Sequence, residues 1–139
     1  MNAIDTNVLL YSVDRHEPTK QRIAQQLLQQ LSIGPEPTVL LWQVLGELSN
    51  QLRRWRAQGR LTDTEFGQHV HVLRQPFALV TPTPDAFDIA MSLAERYTLS
   101  HWDSMLLGAC ISAGVKRLYT EDIGAPRTID DLELVNPFV

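Results

Sequence analysis

The chain has 139 residues, 44% of them hydrophobic and 20% charged, which describes one ordinary globular domain. Its single cysteine, Cys110, excludes an internal disulfide, and the apolar neighbours Leu106, Leu107, Ala109 and Ile111 mark it as a buried, inert thiol. With 16 Asp and Glu against 12 Lys and Arg the net charge is −4. Taken alone, that balance argues against a nucleic-acid binder, an objection that loses force where carboxylates gather around cations, because bound metal inverts the local charge.

The opening Met1-Asn2-Ala3-Ile4-Asp5 has neither a basic region nor a long apolar core, and no apolar run is long enough to span a bilayer. The expectation is a cytoplasmic protein in a reducing compartment. Met1 to Ile4 reads as a short strand ending at Asp5, with cap-type Thr6 and Asn7 before a helical Val8-Leu9-Leu10-Tyr11. Pro18 opens a helix to about Leu31, and Gly34-Pro35-Glu36-Pro37 breaks it. Thr38 to Leu41 reads as a buried strand. Trp42 to Ala57 reads as a helix with Val44, Leu45, Leu48, Leu52 and Trp55 on one stripe.

Thr62 and Glu65 have the spacing of a capping box for a helix to about Leu73. Phe77 to Val80 is a strand, and Pro84 to Tyr97 a helix with Phe87, Ala90, Met91 and Ala94 inward. Ser100 to Ala113 is a helix stopped by Gly114, and Arg117–Thr120 and Leu132–Val135 are the last strands. Short buried strands alternating with helices predict one domain over residues 1–139, a three-layer α/β/α sandwich on a parallel sheet of four to five strands.

In such sheets ligands bind beyond the carboxyl ends of the strands, where strand order reverses. Asp5 ends the first strand, Asp122 follows the Arg117–Thr120 strand, Asp103 lies in the first turn of the Ser100 helix, and Glu47 flanks the stripe of the helix after the second strand. Each also has a structural explanation. Asp103 completes a capping box with Ser100, Asp122 is a turn residue, Asp5 caps the helix after it, and Glu47 is solvated. If these elements run parallel, all four converge on one edge. That joint pattern points further, because oxygen ligands without histidine or cysteine suit hard divalent cations, which activate water and neutralise phosphate in phosphodiester hydrolysis.

These segments resemble the PIN-domain nucleases, in particular the ribonuclease toxins of bacterial VapBC toxin–antitoxin pairs. Ile4-Asp5-Thr6-Asn7-Val8-Leu9 is similar to the family's opening motif, and Gln43-Val44-Leu45-Gly46-Glu47-Leu48 to its second. His101-Trp102-Asp103-Ser104 and Leu118-Tyr119-Thr120-Glu121-Asp122 match the third and fourth acids, and Asn136-Pro137-Phe138 resembles the usual ending. The resemblance implies Asp5, Glu47, Asp103 and Asp122 as ligands of Mg²⁺ or Mn²⁺, with Asn7 and Thr120 supporting them through hydrogen bonds. It further implies an endoribonuclease, the toxin of a type II pair that inhibits translation, held by an antitoxin protein and paired as a homodimer. One departure is Trp42, which stands where the family often has a small hydroxyl residue, and it bears on the substrate groove.

Arg53, Arg54, Arg56 and Arg60 form a basic run on the Glu47 helix, readable either as a solvated helix end or as a contact for RNA or an acidic antitoxin segment. His101 reads as a capping or tuning group rather than a ligand, and Trp42, Trp55 and Trp102 as core or interface. Two alternatives remain open, a PIN-domain RNA-processing nuclease that is not a toxin and a non-catalytic PIN-like binding module. A phosphotransfer receiver is disfavoured, because Thr6-Asn7 rather than a second acid follows Asp5 and Lys116 precedes its strand.

Overall fold

The computed structural model describes residues 1–139. Strand β1 (Asn2–Ile4) is buried at every position, as befits a strand covered on both faces. It passes through Asp5 into α1 (Thr6–Tyr11), and Pro18 at the first helical position opens α2 (Pro18–Ile33). Strand β2 (Thr38–Leu41), also buried throughout, runs without a loop into α3 (Trp42–Ala57), which turns Val44, Leu48, Leu52 and Trp55 to the core. Helix α4 (Asp63–Arg74) starts on the complete capping box. The Thr62 hydroxyl accepts from the Glu65 N–H at 3.1 Å, and the Glu65 carboxylate accepts from the Thr62 N–H at 3.0 Å.

Strand β3 (Ala78–Val80), α5 (Pro84–Arg96), α6 (His101–Ser112), β4 (Arg117–Tyr119), β5 (Arg127–Ile129) and β6 (Leu132–Val135) complete the chain. The six strands lie in the order β3-β2-β1-β4-β6-β5, and every neighbouring pair is parallel except β5 with β6. The sheet thus has one strand more than the four to five expected. Arg127-Thr128-Ile129 is too short to show a period of its own. It becomes a strand by pairing back on β6 across a two-residue turn in which Asp130 adopts φ 51°.

The inward face of α5 also differs from the periodicity reading. Ala86, Ala90 and Leu93 are buried, whereas Phe87 is 52% exposed and Ala94 faces solvent. The cause lies on α6. A Cβ built on Gly108 falls 2.6 Å from the Ala86 carbonyl oxygen and 2.9 Å from the Ala90 Cβ, so the two helices approach too closely for a large side chain between them. Small residues win the interior and the phenyl ring is turned out. Cys110, on the same helix, is fully buried, and burial pushes its thiol pKa far up, which makes it unreactive.

Candidate active site

Strand β1 lies between β2 and β4. The chain builds outward from β1 through β2 to β3, then crosses back to place β4 on the other side, so strand order reverses at the β1–β4 pair. Beyond the carboxyl ends of these strands lies the expected ligand crevice of an open parallel sheet. Asp5 directly follows β1, Asp122 comes three residues after β4, Glu47 is in the second turn of α3 just past β2, and Asp103 is in the first turn of α6.

A hydrogen-bonded scaffold joins three of these acids. The Asp5 carboxylate accepts from the Thr6 N–H at 2.7 Å through one oxygen and from the Thr120 hydroxyl at 2.7 Å through the other. The Thr6 hydroxyl donates to Glu47 at 3.0 Å, and Gln43 Nε2 donates to the other Glu47 oxygen at 3.0 Å. Asn7 Nδ2 donates to Asp122 at 2.9 Å and lies 3.5 Å from Thr120 Oγ1, which itself accepts from the Asp122 N–H at 3.0 Å. Asp103 stands apart. Its N–H is capped by the Ser100 hydroxyl at 3.2 Å, and its half-buried carboxylate makes no hydrogen bond within the chain.

Burial pushes Asp5 up to a pKa of about 6; the Thr120 and Thr6 hydrogen bonds oppose that rise, and the neighbouring charges of Glu47 and Asp122 add to it. None of the four acids forms an ion pair, although seven ion pairs occur elsewhere in the chain. Asn7 Oδ1, on the amide that binds Asp122, is buried without any hydrogen-bond partner. An all-oxygen donor set, a buried carboxylate lacking a protein counter-charge and an orphaned amide oxygen fit a hard divalent cation. No three acidic, histidine or cysteine side chains converge closely enough to enclose an ion, so the fit is to an open site that leaves positions for water rather than to a closed cage.

Thr6 and Gln43 belong to this scaffold and escaped the sequence reading. Thr6 adjoins Asp5, and Gln43 lies four residues before Glu47, one helical turn away, which is the one sequence signal for its contact. Gln43 Nε2 also donates to the Trp102 carbonyl at 3.1 Å and so ties α3 to the start of α6.

The four arginines divide. Arg56 stacks on Phe66 at 4.3 Å, while Arg60 stacks on Trp55 at 4.2 Å and pairs with Asp14 at 3.2 Å, so these two serve the fold. Arg53 and Arg54 are exposed and unpaired; Arg54 lies two helical turns beyond Glu47 on the same face, about 10 Å along the axis. Trp55 is core, whereas Trp42 and Trp102 are 57% and 63% exposed. His101 packs edge-on against Trp102 with ring centroids 4.7 Å apart.

The PIN domain signature matches residues 3–130. The chain belongs to the PIN-domain family. Among solved structures the PIN domain is similar to a toxin–antitoxin complex from Klebsiella pneumoniae, at 17% identity with a TM-score of 0.71, covering 99% of this chain and 98% of that one. It is similar to VapBC2 from Rickettsia felis bound to a DNA fragment from its promoter, at 14% identity and a TM-score of 0.73 over 96% of each chain. It is also similar to Mycobacterium tuberculosis VapC20, a toxin described as cleaving the sarcin–ricin loop, at 18% identity and a TM-score of 0.59 over 89% of this chain and 92% of that one. No curated protein matches in sequence. These likenesses agree with the observed layers, a mostly parallel sheet with helices on both faces.

Proposed function

We propose that this PIN domain is a metal-dependent endoribonuclease, the toxin of a type II toxin–antitoxin pair that inhibits translation by cutting RNA in the cytoplasm. The observation that carries the proposal is the gathering of Asp5, Glu47 and Asp122 by Thr6, Thr120, Asn7 and Gln43 at the strand-order reversal, with no lysine or arginine to neutralise them. Asp5, Glu47, Asp103 and Asp122 would hold Mg²⁺ or Mn²⁺. When bound, the ion supplies an acidified water as nucleophile and neutralises the phosphate. The chain's own groups keep the ligand oxygens in place. Thr120 and Thr6 aim the Asp5 carboxylate, and Asn7 holds Asp122. Arg54, on the Glu47 face of α3, suits a phosphate of the RNA strand or an acidic antitoxin segment, and Arg53 lies beside it on the same exposed helix end.

The toxin role draws on the solved neighbours, which include a toxin–antitoxin complex and VapBC assemblies and so support a cognate antitoxin protein as partner. A homodimer is supported by a groove of about 420 Å³ that runs along α6 and is flanked by the starts of α3 and α5. Exposed Trp42, Phe87 and Trp102 line it, and a second copy would remove them from water.

The test is cleavage of RNA with Mg²⁺ or Mn²⁺, with EDTA and with Asp5→Asn. Cleavage that needs metal and is lost in the variant supports the nuclease; cleavage that survives both removes the metal site. Growth arrest on expression, relieved by co-expression of an adjacent gene product, separates a toxin from an RNA-processing nuclease. A non-catalytic binding module is the second reading, to which Asp103 points by standing apart from the hydrogen-bonded scaffold of the other three acids. RNA bound but uncut in saturating Mn²⁺ would establish it.

A further inference from the structure

Next to Asp122 the backbone takes a costly path. Ile123 has φ 59° and Gly124 φ 74°, and a β-branched residue in the left-handed region persists only where its surroundings impose it. Asp122 itself is exposed, with its carboxylate held by Asn7 and its N–H by Thr120, and the backbone on either side of it is its remaining support. The residue before it, Glu121, has both carboxylate oxygens engaged. The Tyr11 hydroxyl donates to one at 2.6 Å, and Lys20 Nζ donates to the other at 2.8 Å while lying 3.2 Å from the Tyr11 hydroxyl. Lys20 also sits 4.6 Å from the Tyr11 ring centroid and 5.5 Å from that of Phe138. The Phe138 ring packs edge-on against Tyr11 at 5.1 Å. Tyr11 ends α1, the helix that carries Asn7, and Lys20 lies in the first turn of α2.

We propose that Lys20, Tyr11 and Glu121, covered by Phe138, form a clamp that fixes the strained turn after β4 and so sets Asp122 for metal binding. The clamp touches neither substrate nor ion. Lys20 and Glu121 are positioning residues, and the inference rests on the metal-dependent nuclease reading above. The geometry favours this over a simple surface ion pair, because the pair is partly buried, shares a third partner in Tyr11 and includes Glu121, the residue that directly precedes Asp122.

The experiment measures Mn²⁺ binding by electron paramagnetic resonance, the Mg²⁺ dependence of RNA cleavage, and Tm in EDTA, for wild type, Lys20→Met, Lys20→Arg, Glu121→Gln and Asp5→Asn. The expected result is about tenfold weaker Mn²⁺ binding in Lys20→Met and Glu121→Gln, as loss of an outer partner of a metal ligand brings. The half-saturating Mg²⁺ concentration should rise by the same factor, kcat at saturating metal should hold within about twofold of wild type, and Lys20→Arg should restore binding. Unchanged Mn²⁺ affinity with a lowered Tm would overturn the clamp and leave a structural ion pair. A raised KM for RNA at unchanged Mn²⁺ affinity would also overturn it, placing Lys20 on the substrate. Should Lys20→Met fail to fold, Glu121→Gln, which keeps the side chain's shape, answers the same question. Wild type that binds no Mn²⁺, or Asp5→Asn that binds as wild type does, sinks the metal-site reading and the clamp with it. Wild type and Lys20→Met binding equally, with Asp5→Asn not binding, sinks the clamp alone.

Discussion

Thr120 donates its hydroxyl proton to Asp5 at 2.7 Å and accepts the Asp122 N–H at 3.0 Å, so one side chain serves two acids that lie 117 positions apart in sequence. Replacing it by valine keeps the shape and removes both bonds. Thr120→Val should lose about 1–3 kcal/mol of stability, since a buried acceptor is left without its partner. The same loss removes a hydrogen bond that lowers the Asp5 pKa, so the acidic limb of the cleavage rate should move to higher pH than in wild type. Thr120→Ser keeps both bonds, so it should leave the acidic limb in place and lose only about 1 kcal/mol, the contribution of one buried methyl group. A pH–rate profile of both variants, alongside urea unfolding, checks this.

Asp5 is buried without a protein counter-charge. Its pKa rises from 3.8 to about 6 on folding, so the folded state favours the protonated acid. Stability from this group is fully present below pH 3.8 and is lost as pH rises through about 6. Above that pH the buried charge costs about 3 kcal/mol in the absence of metal, because each tenfold change in proton affinity is worth about 1.4 kcal/mol. Asp5→Asn should therefore abolish cleavage yet unfold at a higher temperature than wild type at pH 8 in EDTA. The gap should shrink toward pH 4 and also on adding Mn²⁺. Equal melting temperatures at pH 8 would show that the carboxylate charge is compensated in the fold.

Gly108 gives a prediction about packing. Alanine is the better helix former by about 1 kcal/mol, yet here its Cβ would meet the Ala86 carbonyl at 2.6 Å. Gly108→Ala should therefore lower stability by about 1–3 kcal/mol, the usual cost of overpacking. A higher Tm in the variant would mean that α5 and α6 separate freely.

The arginines of α3 should separate by role. Arg53→Ala with Arg54→Ala should weaken RNA binding and flatten its salt dependence by about one to two units of slope, with Tm unchanged. Arg60→Ala should instead lower stability by about 1 kcal/mol, through loss of its contact with the Trp55 ring, and leave the salt slope alone. Affinity measured against salt concentration for both sets distinguishes them.

Much of this was readable from residue patterns because it rests on local signals. Pro18, the Thr62–Glu65 box and the apolar stripe of Val44, Leu48, Leu52 and Trp55 each mark a helix without tertiary help. The placement of Asp5 and Asp122 at strand ends followed from the alternation of strands and helices. What lay hidden depends on contacts distant in sequence. Strand β5 exists through its pairing with β6, the outward turn of Phe87 is imposed by Gly108 on another helix, and the Thr6–Glu47 bond joins residues 41 apart. Polar partners such as Tyr11, Lys20 and Glu121 have no periodicity, so nothing in spacing marks them.

Gln43 has a consequence of this kind. One amide group grips Glu47 on the acidic edge and the Trp102 carbonyl on the wall of the apolar groove. Anything that seats in the groove and shifts Trp102 alters the donor on Glu47, and by linkage an ion held at the acids changes the hold of that occupant by the same factor. On the proposed metal-site and homodimer readings, assembly and ion occupancy would then be linked equilibria. A dissociation constant for either is complete only when the concentration of the other is stated.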